Sequence, residues 1–141
     1  MNTLIVQTDL SSTRLLSSVL KTRDFEVFET TQIQEAKSHL EKSPIELLFM
    51  DLHFPGEEWQ AFIRWVKQNY PLTRLILTSK YPDLQREMYA QEMGLKIFLR
   101  QPFTKQWVDS AIERAGLSTE EMIKKQKIVP GKVSATQLPR V

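Results

Sequence analysis

The sequence predicts an α/β fold in which helices cover both faces of a five-stranded parallel sheet. Five short runs of apolar, branched or aromatic residues alternate along the chain with five segments whose apolar residues recur at spacings of three and four. Proline and glycine fall between these segments rather than within them. Strict alternation of strand and helix favours a doubly wound parallel sheet with right-handed crossovers.

The strand segments are of two kinds. Four are continuously apolar, as expected of strands buried on both faces, and they cover residues 4–6, 47–50, 75–77 and 97–99. The segment 25–30 alternates apolar and polar residues, which is typical of a half-buried edge strand.

Each helical segment places its apolar residues on one face. These residues are, in chain order, Leu15, Leu16, Val19 and Leu20; Ile33, Ala36 and Leu40; Trp59, Phe62, Ile63 and Val66; Leu84 and Met88; and Val108, Ala111, Ile112 and Ala115. Pro44, Pro71, Pro82, Gly94 and Gly116 mark the boundaries between elements.

Length and charge indicate one domain followed by a tail. The 141 residues are 41% hydrophobic and 26% charged, which is enough for a single buried core. Residues 1–116 carry 14 basic and 15 acidic side chains, whereas 117–141 carry 5 and 2, so the net charge of +2 divides into −1 and +3. We predict a folded domain over 1–116, then a short helix and a basic, linker-like tail over 117–141 that leads to an output domain.

Composition also excludes several classes of site and partner. The chain has no cysteine and two isolated histidines, which leaves little for a thiolate, iron–sulfur or zinc site. The net charge of −1 over residues 1–116 argues against nucleic-acid binding by this domain. No apolar run is long enough to span a membrane, and Asp9 comes too early for a signal peptide, so we expect a cytoplasmic protein without membrane contact.

The carboxyl ends of the strands are where open parallel sheets bind ligands. Asp51 follows a buried strand directly and is the most conspicuous polar residue there. Its carboxylate is either a nucleophile or metal ligand, or an ordinary turn cap. Position alone does not separate these interpretations.

Three groups of residues together resemble the receiver domain of two-component response regulators. These are Asp51 with Pro55 and Gly56, Thr78 with Ser79, and Phe98 followed by Gln101, Pro102 and Phe103. The resemblance covers 1–116 and implies a flavodoxin-like (βα)5 fold with strand order 2-1-3-4-5. It also implies a non-enzymatic signalling domain rather than an enzyme.

The resemblance further implies a phosphorylation site. Asp51 would accept a phosphoryl group from a histidine kinase, with Mg²⁺ held by Asp51 and an acidic pair after the first strand, and with a lysine at position 101 preceding a cis Pro102. Thr78 and Phe98 would move together as the switch.

The sequence departs from this pattern at its charged positions. Gln7 and Thr8 stand where the acidic pair belongs, and Gln101 stands in place of the lysine. Neutral side chains are poor ligands for Mg²⁺, and only Asp9 lies close enough in sequence to substitute. We therefore predict a pseudo-receiver with a degraded site and no cofactor, which would need Mg²⁺ only if the site still functioned.

Other residues have two possible roles. His53 is either a partner of Asp51 or a loop residue, and Trp59 either covers Asp51 or belongs to the core. Thr78 is either half of the switch or a β-branched residue that ends its strand. Phe98 either moves as the switch aromatic or stays buried, which would hold one signalling state. Four residues on or near the fourth helix form either a solvated face or an interface with an effector or a second copy, involving the fourth helix, fifth strand and fifth helix; they are Tyr81, Gln85, Arg86 and Tyr89.

Three functions remain open at this point. The first is a module that acts through protein contacts, and the second is a receiver phosphorylated on Asp51. The third is a flavodoxin-like nucleotide or flavin binder, which Ser11, Ser12 and Thr13 after the first strand would serve at a helix N-terminus. That loop lacks glycine, and Ser11 or Ser12 more simply caps the first helix.

Overall fold

A computed structural model describes residues 1–55 and 58–116, without the side chain of residue 58. The predictions for Gly56 and for the tail 117–141 lie outside the described residues. Five strands alternate with five helices in the order β1 (Asn2–Val6), α1 (Leu10–Thr22), β2 (Glu26–Thr30), α2 (Ile33–Lys42), β3 (Leu47–Asp51), α3 (Glu58–Asn69), β4 (Arg74–Ser79), α4 (Leu84–Glu92), β5 (Phe98–Arg100) and α5 (Lys105–Arg114).

The sheet confirms the predicted fold class. All neighbouring strands are parallel, and their order is β2-β1-β3-β4-β5. The strand bounds agree with the prediction to within two residues. β5 begins one residue later than expected, since Phe98 is its first residue paired with β4.

Two separate apolar cores cover the two faces of the sheet. Alternate residues of each central strand point to opposite faces, so Leu48 and Met50 join one core while Leu47 and Phe49 join the other. The first core also contains residues of α2, α3 and α4, and the second contains residues of α1 and α5. This arrangement brings the loops that follow β1, β3, β4 and β5 to one edge of the sheet.

Within residues 1–55 and 58–116, no helix combines the length and the apolar character that crossing a bilayer requires.

Candidate functional site

Asp51 is the last residue of β3, at the centre of the carboxyl edge. It is 3% exposed and lies opposite Thr78 in the β3–β4 ladder. Its Oδ1 accepts a hydrogen bond from the backbone N–H of His53 at 2.9 Å, an Asx-type turn contact. The turn-capping interpretation therefore accounts for one carboxylate oxygen, whereas Oδ2 has no hydrogen-bond partner among the described residues.

Gln7 connects three elements at this edge. Its Nε2 donates to the Thr78 Oγ1 at 2.6 Å, and its Oε1 accepts from the Thr13 hydroxyl at 3.3 Å. All three side chains are buried, with Gln7 at 2% and Thr78 at 0% exposure. A side chain that follows β1 thus holds the hydroxyl of β4 that the family resemblance assigns to the switch.

Asp9 does not turn towards Asp51. It caps α1, with Oδ1 accepting from the backbone N–H of Ser11 and Oδ2 from the Ser12 hydroxyl, and Oδ2 lies 3.5 Å from Lys80 Nζ. Partial burial raises the pKa of Asp9, but the Ser12 hydrogen bond, the Lys80 charge and the backbone N–H groups together outweigh it and lower the pKa.

The cap of α1 corrects the expectation that Ser11 or Ser12 fills this position. Both serines instead donate to Asp9. A carboxylate therefore already occupies the helix N-terminus where a nucleotide or flavin phosphate would bind. Thr8, between Gln7 and Asp9, is exposed.

Gln101 lies at the end of β5, beside the end of β4. The Gln101–Pro102 peptide bond is cis, as the resemblance implied, and the Gln101 backbone N–H donates to the Ser79 carbonyl at 2.7 Å. The Gln101 Nε2 and the Ser79 Oγ are both buried, and neither has a hydrogen-bond partner in the described part of the chain. Phe98 is only half-buried, so the structure does not show the full burial that would hold one signalling state; it packs against the core that contains α2, α3 and α4.

His53 joins the loop after β3 to the loop after β4. Its ring stacks on Tyr81 with 4.1 Å between centroids, and its Nε2 lies 3.1 Å from the Tyr81 carbonyl oxygen. Its Nδ1 lies 3.7 Å from the carboxylate of Asp83, the residue that caps α4. His53 bonds to Asp51 through its backbone N–H, whereas its ring connects the two loops.

Arg86 makes a second connection between these loops. Its Nη1 donates to the carbonyl oxygens of Leu52 at 2.8 Å and Phe54 at 3.4 Å, and its guanidinium lies 5.5 Å from the ring centroid of Trp59. Trp59 is 1% exposed and belongs to the core, so it packs beneath α4. Sequence reasoning missed these contacts because an arginine on α4 could equally point outwards.

The four residues assigned to a possible interface lie on α4 or, for Tyr81, in the loop before it, and they divide into two pairs. Tyr81 and Gln85 are exposed, whereas Arg86 faces the β3–α3 loop. Tyr89 packs edge-on against Trp59, and its hydroxyl accepts from Arg64. The exposed apolar surface nearby comes from Leu84, Met88 and Trp107. Leu84 and Met88 are the residues that the helical pattern placed on one apolar face, and this face is exposed because α4 packs on the domain through Ala90 instead.

Lys80 was also missed as a functional candidate. It follows the polar end of β4, and its position directly after Thr78 and Ser79 was the available signal. Its ammonium group supplies positive charge near the carboxyl edge, where it pairs with Asp9.

The chain is similar in sequence to known response regulators. The family model described as response regulator receiver domain matches residues 3–113. Among curated proteins, the aerobic respiration control protein ArcA of Escherichia coli K12 is 25% identical over 100 residues, which are 71% of this chain and 42% of ArcA. The DNA-binding transcriptional regulator NtrC of the same strain is 28% identical over 74 residues, 52% of this chain and 16% of NtrC.

Solved structures agree on the fold. A response regulator from Thermotoga maritima superposes with a TM-score of 0.74 at 23% identity, over 81% of this chain and 95% of that one. NtrX from Brucella abortus superposes with a TM-score of 0.76 at 19% identity, over 89% of this chain and 28% of NtrX. The chain spans less than half the length of the curated relatives it matches.

Proposed function

Because the chain belongs to the family of response regulator receiver domains, we propose that it is a receiver whose Asp51 site has lost Mg²⁺-dependent phosphoryl transfer and which signals through protein contacts. It is a binding module rather than an enzyme, and it acts in the cytoplasm. The support comes from four features of the carboxyl edge and from the exposed surface of α4 and α5.

The first feature is a donor set that does not fit Mg²⁺. This ion prefers carboxylate charge and near-octahedral oxygen ligands. Gln7 is neutral and its amide is bonded to Thr13 and Thr78, while both oxygens of Asp9 serve the cap of α1. Residues 1–55 and 58–116 hold no cluster of three or more histidine or carboxylate groups arranged to bind a metal.

The second feature is the charge around Asp51. Phosphoryl transfer depends on positioning and on neutralising charge at the transferring group. Gln101 contributes an amide and no charge, and the ammonium of Lys80 is paired with Asp9. Removing one such charge-stabilising group from an enzyme costs about 10²–10³ in rate, so losing the metal and the lysine together removes most of it.

The third feature, which carries the proposal, is the hydrogen bond from Gln7 to Thr78. In a receiver the threonine hydroxyl would be free to move towards a phosphoryl group. Here it is buried and held at 2.6 Å by the side chain that replaces an acidic residue. The same substitution that weakens metal binding therefore fixes the switch residue without phosphorylation.

The fourth feature is the attachment of α4 to the Asp51 loop. Arg86 binds two loop carbonyls and His53 contacts the α4 cap, so the α4 surface keeps one arrangement. A fixed surface suits a module regulated by the presence of its partner.

A second candidate function remains, in which a histidine kinase phosphorylates Asp51. It is favoured by the retained carboxylate and by two buried groups that have no hydrogen-bond partner among residues 1–55 and 58–116. These are the Ser79 hydroxyl and the Gln101 amide, which could donate to phosphoryl oxygens. In that function these donors would compensate for the missing lysine.

One experiment separates the two functions. The chain and its Asp51→Asn variant are incubated with a small acyl phosphate and Mg²⁺, and intact mass is followed over time. The proposal expects both proteins to keep their mass. A rapid gain of one phosphoryl group by the wild-type chain, absent from Asp51→Asn, would support the second function and overturn the first.

The proposed partners are an output or effector domain and a second copy of the chain. Both curated relatives are longer regulators, and the printed name of NtrC describes it as DNA-binding. The contact surface would combine Leu84 and Met88 on α4 with Trp107 on α5, which are 72%, 52% and 55% exposed. The Arg100–Glu87 ion pair lies between them and would add polar complementarity.

A further inference from the structure

A basic groove lies at the amino edge of the sheet, on the opposite side of the domain from Asp51. Its volume is about 330 Å³. Four exposed cationic side chains line it: Lys67 near the end of α3, Arg74 at the start of β4, Lys96 before β5 and Arg114 at the end of α5. No carboxylate lines the groove, and none of these four side chains forms an ion pair within the described residues.

The helix dipole explains the positions of only two of these four cations. Lys67 and Arg114 lie in the last turns of their helices, where a cation offsets the negative end of the helix dipole. Arg74 and Lys96 lie on no helix, so the same reason does not apply to them. Four cations gathered on a domain of net charge −1 indicate an anionic occupant.

The groove also has an apolar floor. Leu75, Leu95 and Ala115 line it and are 9%, 5% and 4% exposed. A nucleic-acid backbone would use the cations but not this floor. An acidic peptide segment that also carries apolar side chains would use both, through ion pairs at the rim and apolar contact below.

This chain contains such a segment a few positions after the groove residue Ala115 in sequence. Residues 120–123 are Glu, Glu, Met and Ile, and they lie outside the described residues. The last described residue is Gly116, which directly follows the groove residues Arg114 and Ala115. Its φ is 78° and its backbone N–H donates to the Glu113 carbonyl, so the chain turns at the end of α5. Four residues reach at most about 14 Å, so Glu120 stays within range of the groove rim.

We infer that the segment 120–123 of this chain occupies the basic groove, with Glu120 and Glu121 paired to the cationic rim and Met122 and Ile123 against the floor. The short tether gives the segment an effective concentration in the millimolar range, so weak contacts suffice. Docking there fixes the direction in which the rest of the tail leaves the domain. This inference is independent of the state of Asp51.

The test uses the whole 141-residue chain and compares two matched pairs of charge neutralisations by ¹H–¹⁵N spectroscopy. In Glu120→Gln/Glu121→Gln, the backbone amide signals of Gly94 and Lys96 are expected to shift. In Lys124→Gln/Lys125→Gln, the same signals should stay where they are in the wild-type chain. Gly94 and Lys96 are more than 20 positions from the substitutions, so a shift reports contact in space.

A charge swap tests the pairing itself. Lys96→Glu is expected to shift the Gly94 signal, and adding Glu121→Lys should move that signal back towards its wild-type position. Lys96 lies outside the helices, so its reversal leaves the helix ends intact. Unmoved groove signals in Glu120→Gln/Glu121→Gln, or equal shifts in both neutralised pairs, would overturn the assignment. Shifts that vanish on dilution would place the segment of a second copy in the groove and would also overturn it.

Discussion

Replacing Gln7 by alanine tests the bond on which the proposed function depends. The Gln7 side chain donates to Thr78 and accepts from Thr13, and all three groups are buried. Thr13 keeps its second bond, to the Asp9 carbonyl at 3.0 Å, so the loss falls mainly on Thr78. Its hydroxyl oxygen would remain buried without the amide donor.

The expected cost follows from these contacts. An unsatisfied buried polar group costs about 1–3 kcal/mol, and the volume left by the missing side chain adds to it, so we expect the free energy of unfolding to fall by about 2–4 kcal/mol. For a domain of this size that corresponds to a drop in Tm of roughly 10 °C. Gln34→Ala, at an exposed position on α2, is the matched control and should change stability by less than about 0.5 kcal/mol.

Urea unfolding of the single variants Gln7→Ala and Thr78→Val and of the double variant measures the coupling directly. Each single variant leaves one partner of the bond unpaired, so the double variant should be more stable than the sum predicts by at least about 1 kcal/mol. Additive effects within about 0.3 kcal/mol would refute the claim that Gln7 holds Thr78.

Three further predictions concern the surroundings of the site. Arg86→Met should lower the free energy of unfolding by about 1–2 kcal/mol, because the Leu52 and Phe54 carbonyls lose their charged donor. Amide hydrogen exchange at Phe54 should become faster. Unchanged exchange would show that the β3–α3 loop keeps its conformation without Arg86. Asp9→Asn should reduce stability by less than about 1 kcal/mol at pH 7. Because the pKa of Asp9 is lowered by folding, its charge stabilises the protein above the ordinary value of 3.8, and the difference between variant and wild type should shrink as urea titrations move below that pH. Leu84→Glu should leave Tm within about 2 °C of wild type and abolish any dimer seen by sedimentation, because the side chain is 72% exposed; an unchanged dimer would place the interface elsewhere.

The sequence was sufficient for the fold because the strands of a parallel sheet have a strong local signature. Continuous apolar runs such as 47–50 cannot be placed on a half-exposed face, and the following Asp51 could therefore be assigned to the carboxyl edge. The resemblance supplied the strand order and the cis bond before Pro102.

The side-chain contacts of the site could not be predicted in the same way. Gln7 and Thr78 are 71 positions apart, and nothing local shows that an amide will bind a hydroxyl rather than water. Arg86 illustrates the same difficulty, since an arginine on α4 can face solvent or reach a loop carbonyl with equal local propensity. These choices depend on which groups the fold leaves unpaired inside the protein.

The central claim, that the neutral residues at positions 7, 8 and 101 disable Asp51, is tested most directly by restoring the charges. The measurement is the rate at which an acyl phosphate and Mg²⁺ phosphorylate Gln7→Asp/Thr8→Asp/Gln101→Lys relative to the wild-type chain, with Asp51→Asn in each background as the control and urea unfolding to confirm that both proteins are folded. The account predicts that the restored protein reacts at least about 100-fold faster. Equal rates, with a wild-type reaction that depends on Asp51, would contradict it.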